Sequence, residues 1–188
     1  AYAAERNIDI LPEIDLPGHM VAAVASYPEF SCDPTKKYEV RIDGGISHDV
    51  LNVGKDEVID FLKCVLGHVA EVFPFPYIHL GGDECPTSAW ESNAQCQEHL
   101  QNLIKEGKVK DLEKHRFRPL QSYFIKQMND HIKARGKKMI LWNESVTAGG
   151  ADLDIIKSTG AMIFCCHLCQ GGAAVAASLG LDAVITEW

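Results

Sequence analysis

The sequence predicts an α/β fold that forms part of a (β/α)₈ (TIM) barrel, with about five parallel strands and intervening helices. Three observations support this prediction. Short apolar runs alternate with amphipathic helical segments, glycine or asparagine closes several of the helices, and polar side chains follow most of the apolar runs. The carboxyl ends of parallel strands lie at one edge of a barrel, and that edge carries the chemistry.

The predicted strands are short apolar runs bounded by Gly, Asn or Pro, and each is too short to be a helix. They show no clean alternation of polar and apolar residues, which is typical of strands covered on both faces. The five predicted strands span residues 8–11, 77–80, 138–142, 161–165 and 183–186.

The predicted helices lie between these runs. Residues 56–73 and 119–135 each carry a stripe of apolar side chains at helical spacing. Shorter helices are predicted at residues 93–106, 153–159 and 172–179. Glycine and asparagine accept the left-handed conformation that ends a helix, and we expect this role for Asn7, Gly136, Gly160 and Gly180.

A doubly wound sheet has the same alternation of strands and helices, but it carries a glycine-rich phosphate loop after its first strand. The sequence contains neither G-x-G-x-x-G nor a P-loop pattern, so we favour the barrel. A complete barrel usually needs about 250 residues and eight strands. We therefore expect residues 1–188 to be a fragment of a single barrel. Residues 1–7 are typical of the end of a helix, which suggests further sequence upstream.

The composition excludes several classes of protein. Hydrophobic residues make up 46% and charged residues 23%, which is ordinary for a globular domain and excludes disordered, collagen-like and coiled-coil chains. The net charge of −8 argues against nucleic acid as the main partner. No apolar run approaches the ~20 residues needed to span a bilayer. Seven cysteines at irregular spacing do not form a disulfide framework.

The sharpest candidate site is the segment His79-Leu80-Gly81-Gly82-Asp83-Glu84, which continues directly from a predicted strand. Its two glycines allow close backbone approach, and two adjacent carboxylates follow them. Neighbouring side chains on an extended chain diverge, so Asp83 and Glu84 should have different environments and can take different roles. The alternative is a pair of solvated loop acids.

Two further segments follow predicted strands. Residues 11–19 contain two prolines, a glycine, Asp15 and His19, which predicts a rigid loop carrying functional groups, or a turn with incidental polar residues. Trp142 comes before Asn143 and Glu144, and at a barrel mouth it offers a flat wall on which a sugar ring can stack. Trp142 could equally be a core residue, and Trp90 is better explained by helix packing.

Metal binding is an alternative for these residues. His19, His79, Asp83, Glu84 and His167 could serve as ligands of a metal-dependent hydrolase, although no H-x-H pair occurs. Cys166 and Cys169 have the spacing of half a zinc knuckle, but a structural zinc site normally needs two such pairs. We therefore expect these cysteines to be reduced and packed at a strand end.

Together, these segments resemble the catalytic barrel of glycoside hydrolase family 20, the β-N-acetylhexosaminidases. The resemblance extends through nearly the whole chain. It rests on Pro12-Glu13-Ile14-Asp15 with Pro17-Gly18-His19, on His79-Leu80-Gly81-Gly82-Asp83-Glu84, and on Trp142-Asn143-Glu144. The Gly-Gly-Asp-Glu segment with Pro-Gly-His upstream is highly specific.

The resemblance implies a retaining, substrate-assisted glycosidase that removes terminal N-acetylhexosamine from glycans or glycoconjugates. It assigns Glu84 as the general acid/base and Asp83 as the residue that orients the substrate's 2-acetamido group. His19 and Trp142 are assigned to substrate binding, and Asp15 and Glu144 are further candidates beside them. A non-catalytic sugar-binding barrel is a further alternative, but it would usually lose the acid.

The resemblance also implies what surrounds the site. It implies no cofactor and no metal, a carbohydrate partner, and a secreted, periplasmic or lysosomal location, and it leaves the oligomeric state open. The chain would span about the third to the seventh strand of the barrel, so the fragment alone is expected to be inactive. Members commonly have a second pocket tryptophan where this sequence has Cys166 and His167.

Overall fold

The computed structural model describes residues 2–166 and 171–186, which form a parallel sheet flanked by helices. The strands are β1 (Tyr77–His79), β2 (Lys138–Trp142), β3 (Met162–Cys166) and β4 (Ala183–Thr186). They pair in the order β1-β2-β3-β4, and every pair is parallel. Each strand therefore lies beside the next strand in sequence, with no reversal of strand order. A barrel adds its strands in this way, whereas a doubly wound sheet reverses direction at a switch point.

Helices connect the strands and close where the sequence predicts. The α-helices are α1 (Val21–Ser26), α2 (Asp56–Val72), α3 (Ser88–Ser92), α4 (Ala94–Lys105), α5 (Arg118–Lys133), α6 (Glu144–Thr147), α7 (Leu153–Thr159) and α8 (Gly171–Leu179). Short 3₁₀ turns occupy Ala4–Arg6 and Pro28–Phe30. The predicted closing residues Asn7, Gly136, Gly160 and Gly180 all have positive φ. The five predicted helices are confirmed, with bounds that differ by two residues at most.

The first predicted strand is wrong in position. Residues 8–11 form no strand, and Ile8 and Ile10 are 56% and 49% exposed. The chain instead pairs with β1 further along, where the His79 N–H donates to the Pro12 carbonyl and the Ile14 N–H donates to the His79 carbonyl, both at 2.9 Å. The apolar run suggested the earlier position, but burial begins further along the chain, at Pro12 and Leu16. This segment and four regular strands make up the sheet.

The core lies between the sheet and its helices. Met139, Ile140 and Leu141 are consecutive and all buried, so β2 is covered on both faces, as its continuous apolar sequence predicts. Side chains of α2 and α5, including Leu66 and Met128, pack into the same core. Burying one such side chain contributes about 1.5–3 kcal/mol. Within the described residues, no helix combines the length and apolar character needed to cross a bilayer.

Two other predictions concern side chains of the core. Trp90 is fully buried and its indole N–H donates to the Leu51 carbonyl at 2.8 Å, which confirms a packing role. Cys32, Cys64, Cys85 and Cys96 carry free thiols. Cys169 and His167 lie outside the described residues, so the thiol cluster and the zinc alternative at this strand end remain predictions.

Candidate active site

The candidate residues follow the carboxyl ends of neighbouring strands. The glycine loop (residues 81–85) continues from β1, and Trp142 ends β2, with Glu144 beginning α6 immediately afterwards. The segment that contains Asp15 and His19 continues from the stretch paired with β1. Parallel pairing brings all of these ends to one edge of the sheet, where active sites of barrel enzymes lie.

His19 is the centre of a cluster of carboxylates. Its Nε2 lies 3.3 Å from Glu84 Oε2, 3.8 Å from Asp83 Oδ2 and 3.9 Å from Asp15 Oδ2. All four side chains are partly exposed, so the cluster can be reached from solvent. The structure thus brings the pair Asp15 and His19 next to the pair Asp83 and Glu84, more than sixty residues further along the sequence.

Three side chains hold the backbone of the glycine loop. The Gly82 N–H donates to Asp15 Oδ1 at 3.0 Å, and the Glu84 N–H donates to Glu144 Oε2 at 2.8 Å. Gln121 of α5 donates from Nε2 to the Gly82 carbonyl at 2.9 Å. Three separate elements therefore fix the loop, and Asp15 and Glu144 act on its backbone.

The loop has little room for other residues. Gly81 has φ of +64°, and a Cβ at this position would lie 1.8 Å from Asp15 Oδ1. Glu84 and His19 have φ of +42° and +52°, values that are costly for residues with a side chain. Such backbone strain is often found where a side chain must be held in a set direction. In this site the strain lies at Glu84 and His19, whose side chains approach each other most closely in the cluster.

Burial sets the electrostatics of the aspartates. Burial, followed by the neighbouring Asp83 carboxylate, raises the pKa of Asp15 to about 7. Burial also raises the pKa of Asp83 above its ordinary value, and His19 opposes this effect. Asp83 Oδ1 is buried and has no hydrogen-bond partner among the described residues. This oxygen therefore has unused capacity to accept a hydrogen bond, while Oδ2 of the same carboxylate faces His19.

Trp142 forms a second part of the site. Its indole N–H donates to Glu13 Oε1 at 2.9 Å, and the same oxygen lies 3.3 Å from His79 Nδ1. The ring centroids of Trp142 and His79 are 4.8 Å apart, and Phe164 of β3 packs edge-on against both. The indole is thus held in one orientation by Glu13 and by two neighbouring rings.

Some contributors could not be recognised as site residues from the sequence. Glu13 lies in a segment singled out by its composition, but its bond to Trp142 joins residues 129 positions apart. Gln121 is a buried amide within the apolar stripe of α5. A polar residue at an apolar position of a helix is the sequence feature that could have identified it. Polar residues on a buried stripe need a partner, and here the partner is the Gly82 carbonyl.

The geometry supports only part of the ligand set that the metal alternative requires. Asp15, His19 and Asp83 each present a potential ligand atom within 4.8 Å of the others. His79 is not part of this group, because its Nδ1 accepts from the Gly81 N–H at 3.0 Å and faces Glu13. His167 lies outside the described residues. The arrangement therefore does not favour the larger ligand set on which that alternative depended.

Comparison with known proteins supports the family suggested by these residues. The family model described as glycosyl hydrolase family 20, catalytic domain, matches residues 1–187. This chain belongs to glycosyl hydrolase family 20. The chain is 36% identical over 185 residues to a beta-hexosaminidase of Porphyromonas gingivalis, covering 98% of this chain and 22% of that protein. It is 32% identical over 143 residues to the human beta-hexosaminidase subunit beta, covering 76% of this chain and 24% of the subunit.

Solved family 20 structures share the fold. A crystal structure of a beta-N-acetylhexosaminidase superposes with a TM-score of 0.80 at 26% identity, covering 99% of this chain and 37% of the other. The exo beta-N-acetylglucosaminidase of Vibrio harveyi, solved in complex with N-acetylglucosamine, gives a TM-score of 0.73 at 28% identity, covering 98% and 26%. The chain thus has the fold of part of a family 20 barrel and spans about a fifth to a quarter of its curated relatives.

Proposed function

We propose that the protein containing this chain is a β-N-acetylhexosaminidase that removes terminal N-acetylhexosamine from glycans or glycoconjugates with retention of configuration. The observation that carries the proposal is the position of His19, Asp83 and Glu84 within hydrogen-bond or ion-pair range at the strand ends of a family 20 fold. Relatives named beta-hexosaminidase, and a neighbour solved with N-acetylglucosamine, support the substrate class.

Glu84 is the general acid in this proposal. It donates its proton to the glycosidic oxygen as the bond from that oxygen to the anomeric carbon breaks. Glu144 fixes the backbone of Glu84 through the Glu84 N–H, and the positive φ of Glu84 directs its side chain toward His19. A positioned acid of this kind typically contributes ~10²–10⁴-fold to the rate.

Asp83 orients the nucleophile, which the substrate itself supplies. The carbonyl oxygen of the 2-acetamido group attacks the anomeric carbon and forms an oxazolinium intermediate. The partly exposed Asp83 carboxylate would accept the acetamido N–H and stabilise the positive charge that develops on this group. Water then adds to the anomeric carbon, gives a proton to the Glu84 carboxylate and opens the oxazolinium ring. Because the anomeric carbon is inverted twice, the configuration is retained.

The other candidates position these groups. Trp142 forms the wall around the acetamido methyl, and Glu13 keeps the indole in place. His19 contacts the substrate beside Glu84, and Asp15 supports both His19 and the Gly82 N–H. Glu144 contributes by holding the glycine loop, and direct contact with substrate is a further role that its location allows.

The organisation of the domain is part of the same proposal. Residues 1–188 would be one part of a single catalytic barrel, about its third to seventh strand, with the remaining strands supplied by the rest of the full-length protein. The exposed outer strand agrees with this arrangement, because Val184 and Ile185 of β4 are 39% and 67% exposed although strands of a closed barrel are covered. The 188-residue piece alone would then lack part of the sugar-binding site.

The test is hydrolysis of a 4-nitrophenyl β-N-acetylglucosaminide by the full-length protein, with and without excess EDTA. We expect release of nitrophenol that EDTA does not change, and inhibition by a thiazoline analogue of the oxazolinium intermediate. Absence of hydrolysis would contradict the proposal. A loss of activity in EDTA that added metal restores would also contradict it and would favour a metal-dependent hydrolase.

A further inference from the structure

Cys32 and Cys96 are more than sixty positions apart in sequence, but the fold brings their side chains together. The Cys32 thiol hydrogen-bonds to the Cys96 sulfur, and both cysteines are reduced. We propose that this pair is a site of thiol–disulfide exchange, at which a small disulfide such as oxidised glutathione converts the two thiols into a Cys32–Cys96 bridge. The inference does not depend on the proposed hexosaminidase function.

Two asparagines hold the backbones around the pair. Asn93 donates from Nδ2 to the Cys32 carbonyl and accepts from the Cys96 N–H through Oδ1, both at 2.9 Å. The Asn52 N–H donates to the Phe30 carbonyl at 2.8 Å, and the Cys96 thiol donates to Asn52 Oδ1 at 3.1 Å. A disulfide forms readily only between cysteines whose backbones already lie close together. Here one amide, that of Asn93, bonds to the backbones of both cysteines.

The two thiols differ in exposure and in acidity. Cys32 is partly exposed and lines a cavity of about 310 Å³ beside Ser88 of α3, so a solute can reach it. Cys96 is fully buried. The hydrogen bond between them lowers the pKa of Cys96, and the backbone N–H groups of residues 53 and 54 act in the same direction. Cys32 is thus the thiol that meets the small disulfide, and Cys96 is the inner thiol that more readily becomes a thiolate.

The exchange takes two steps. The Cys32 thiolate attacks one sulfur of the small disulfide, which gives a mixed disulfide and releases the first small thiol. The Cys96 thiolate then attacks the Cys32 sulfur and releases the second small thiol. The protein loses two protons and two electrons, and the small disulfide is reduced to two thiols. Because the hydrogen bond to Cys96 raises the pKa of Cys32, the first step is slow and the mixed disulfide does not accumulate.

Cys85 is a third thiol near Cys32, and it is a weaker candidate for the bridge. It acts on Cys32 through charge rather than through a hydrogen bond. Burial raises the pKa of Cys85 to about 12, so it stays protonated. Since the thiolate is the attacking form, Cys96 is the better partner for Cys32.

The experiment uses the full-length protein, kept folded in reduced or in oxidised glutathione. Free thiols are then blocked with iodoacetamide, and the protein is digested with trypsin and a protease that cleaves after glutamate. The proposed bridge joins residues 30–36 to residues 92–98, whereas a bridge to Cys85 would join residues 30–36 to residues 85–91. Cys64→Ser is the matched control, because Cys64 is an exposed thiol of α2.

We expect oxidised glutathione to link residues 30–36 to residues 92–98 in the unmodified protein and in Cys64→Ser. The bridge should raise Tm by several degrees, because it closes a long loop in the unfolded chain. Cys96→Ser should instead accumulate glutathione on Cys32. Cys32→Ser should remove the shift in Tm and leave the buried Cys96 unmodified.

The peptide map of the unmodified protein decides the question even where a cysteine variant does not fold. Free Cys32 and Cys96 after exposure to oxidised glutathione would overturn the inference. A link from residues 30–36 to residues 85–91, or a bridge that forms only after unfolding, would overturn it as well.

Discussion

The glycine loop and the outer loop (residues 38–47) both contribute residues to a cavity beside Glu84, yet they are built in different ways. The glycine loop is held by Asp15, Gln121 and Glu144, which come from three separate elements. The outer loop is braced by its own Arg41, which binds groups only two to four residues away.

The two loops therefore differ in how strongly their conformation depends on the rest of the fold. Asp83 and Glu84 lie on a loop that is fixed by long-range contacts, so a change in any of the three elements would move their carboxylates. The outer loop closes on itself and carries exposed aliphatic side chains, so its residues can change without disturbing Glu84. Loops mounted on a rigid scaffold commonly determine which ligand is bound.

The largest expected effect follows from removing the acid. Glu84→Gln in the full-length enzyme should lower kcat for unactivated glycosides by ~10²–10⁴-fold, because the amide cannot deliver a proton. The loss should be smaller for leaving groups that need no protonation. Steady-state kinetics on both substrate types measure this difference, and Glu71→Gln, an exposed glutamate of α2, is the control. The same loss on both types would argue against an acid role.

A smaller effect is expected from adding one methyl group to each loop. Gly81→Ala would place a Cβ 1.8 Å from Asp15 Oδ1 at a φ of +64°, so it should cost about 2–4 kcal/mol of unfolding free energy and most of the activity. Gly44→Ala is the control, since a Cβ there meets nothing within 4 Å. Denaturant unfolding and kcat/KM would be measured for both. Comparable stability of the two variants would mean that the glycine loop is not closely packed.

The last expected effect is a change in the pH dependence of stability. The pKa of Asp15 is raised to about 7, so its carboxylate is disfavoured by folding, and stability should fall as pH rises from about 4 to about 7. Asp15→Asn keeps the oxygen that accepts from the Gly82 N–H and removes the charge, so this decline should flatten.

The pKa of Asp43, in the outer loop, is shifted in the opposite direction to that of Asp15. Hydrogen bonds from Arg41 lower the pKa of Asp43, so its contribution is present above the ordinary pKa and is lost on acidification. Asp43→Asn should therefore leave the interval from pH 5 to pH 8 nearly unchanged. Thermal unfolding of the full-length variants across this interval compares the two. An unchanged pH profile in Asp15→Asn would contradict the account of its burial.

Local sequence patterns predicted much of the fold. The bounds of β2 and β4 agree with the runs read from the sequence, because a helix-closing glycine, Gly136 or Gly180, lies just before each run. The segment before β1 was misplaced because its pairing depends on His79, which lies more than sixty residues away. Apolar composition alone could not give this register.

The candidate site, like the fold, could be predicted only in part from local sequence. Asp83, Glu84, His19 and Asp15 could be singled out because they follow strand ends, and the structure brings them together. Three other features depend on contacts between distant segments. They are the hydrogen bond from Trp142 to Glu13, the hydrogen bond from Gln121 to the Gly82 carbonyl, and the cavity beside the outer loop. Residue periodicity and spacing in the sequence do not predict such contacts.

The central claim is that the substrate's own acetamido group is the nucleophile and that Asp83 orients it. The most direct measurement is kcat for a series of substrates whose N-acetyl group carries none, one, two or three fluorines. Fluorine withdraws electrons from the carbonyl oxygen and weakens it as a nucleophile. The account predicts that kcat falls steadily along the series for the unmodified enzyme and that Asp83→Asn has a shallower dependence. Rates that do not depend on fluorination, together with a covalent glycosyl–protein ester detected by mass spectrometry, would contradict it.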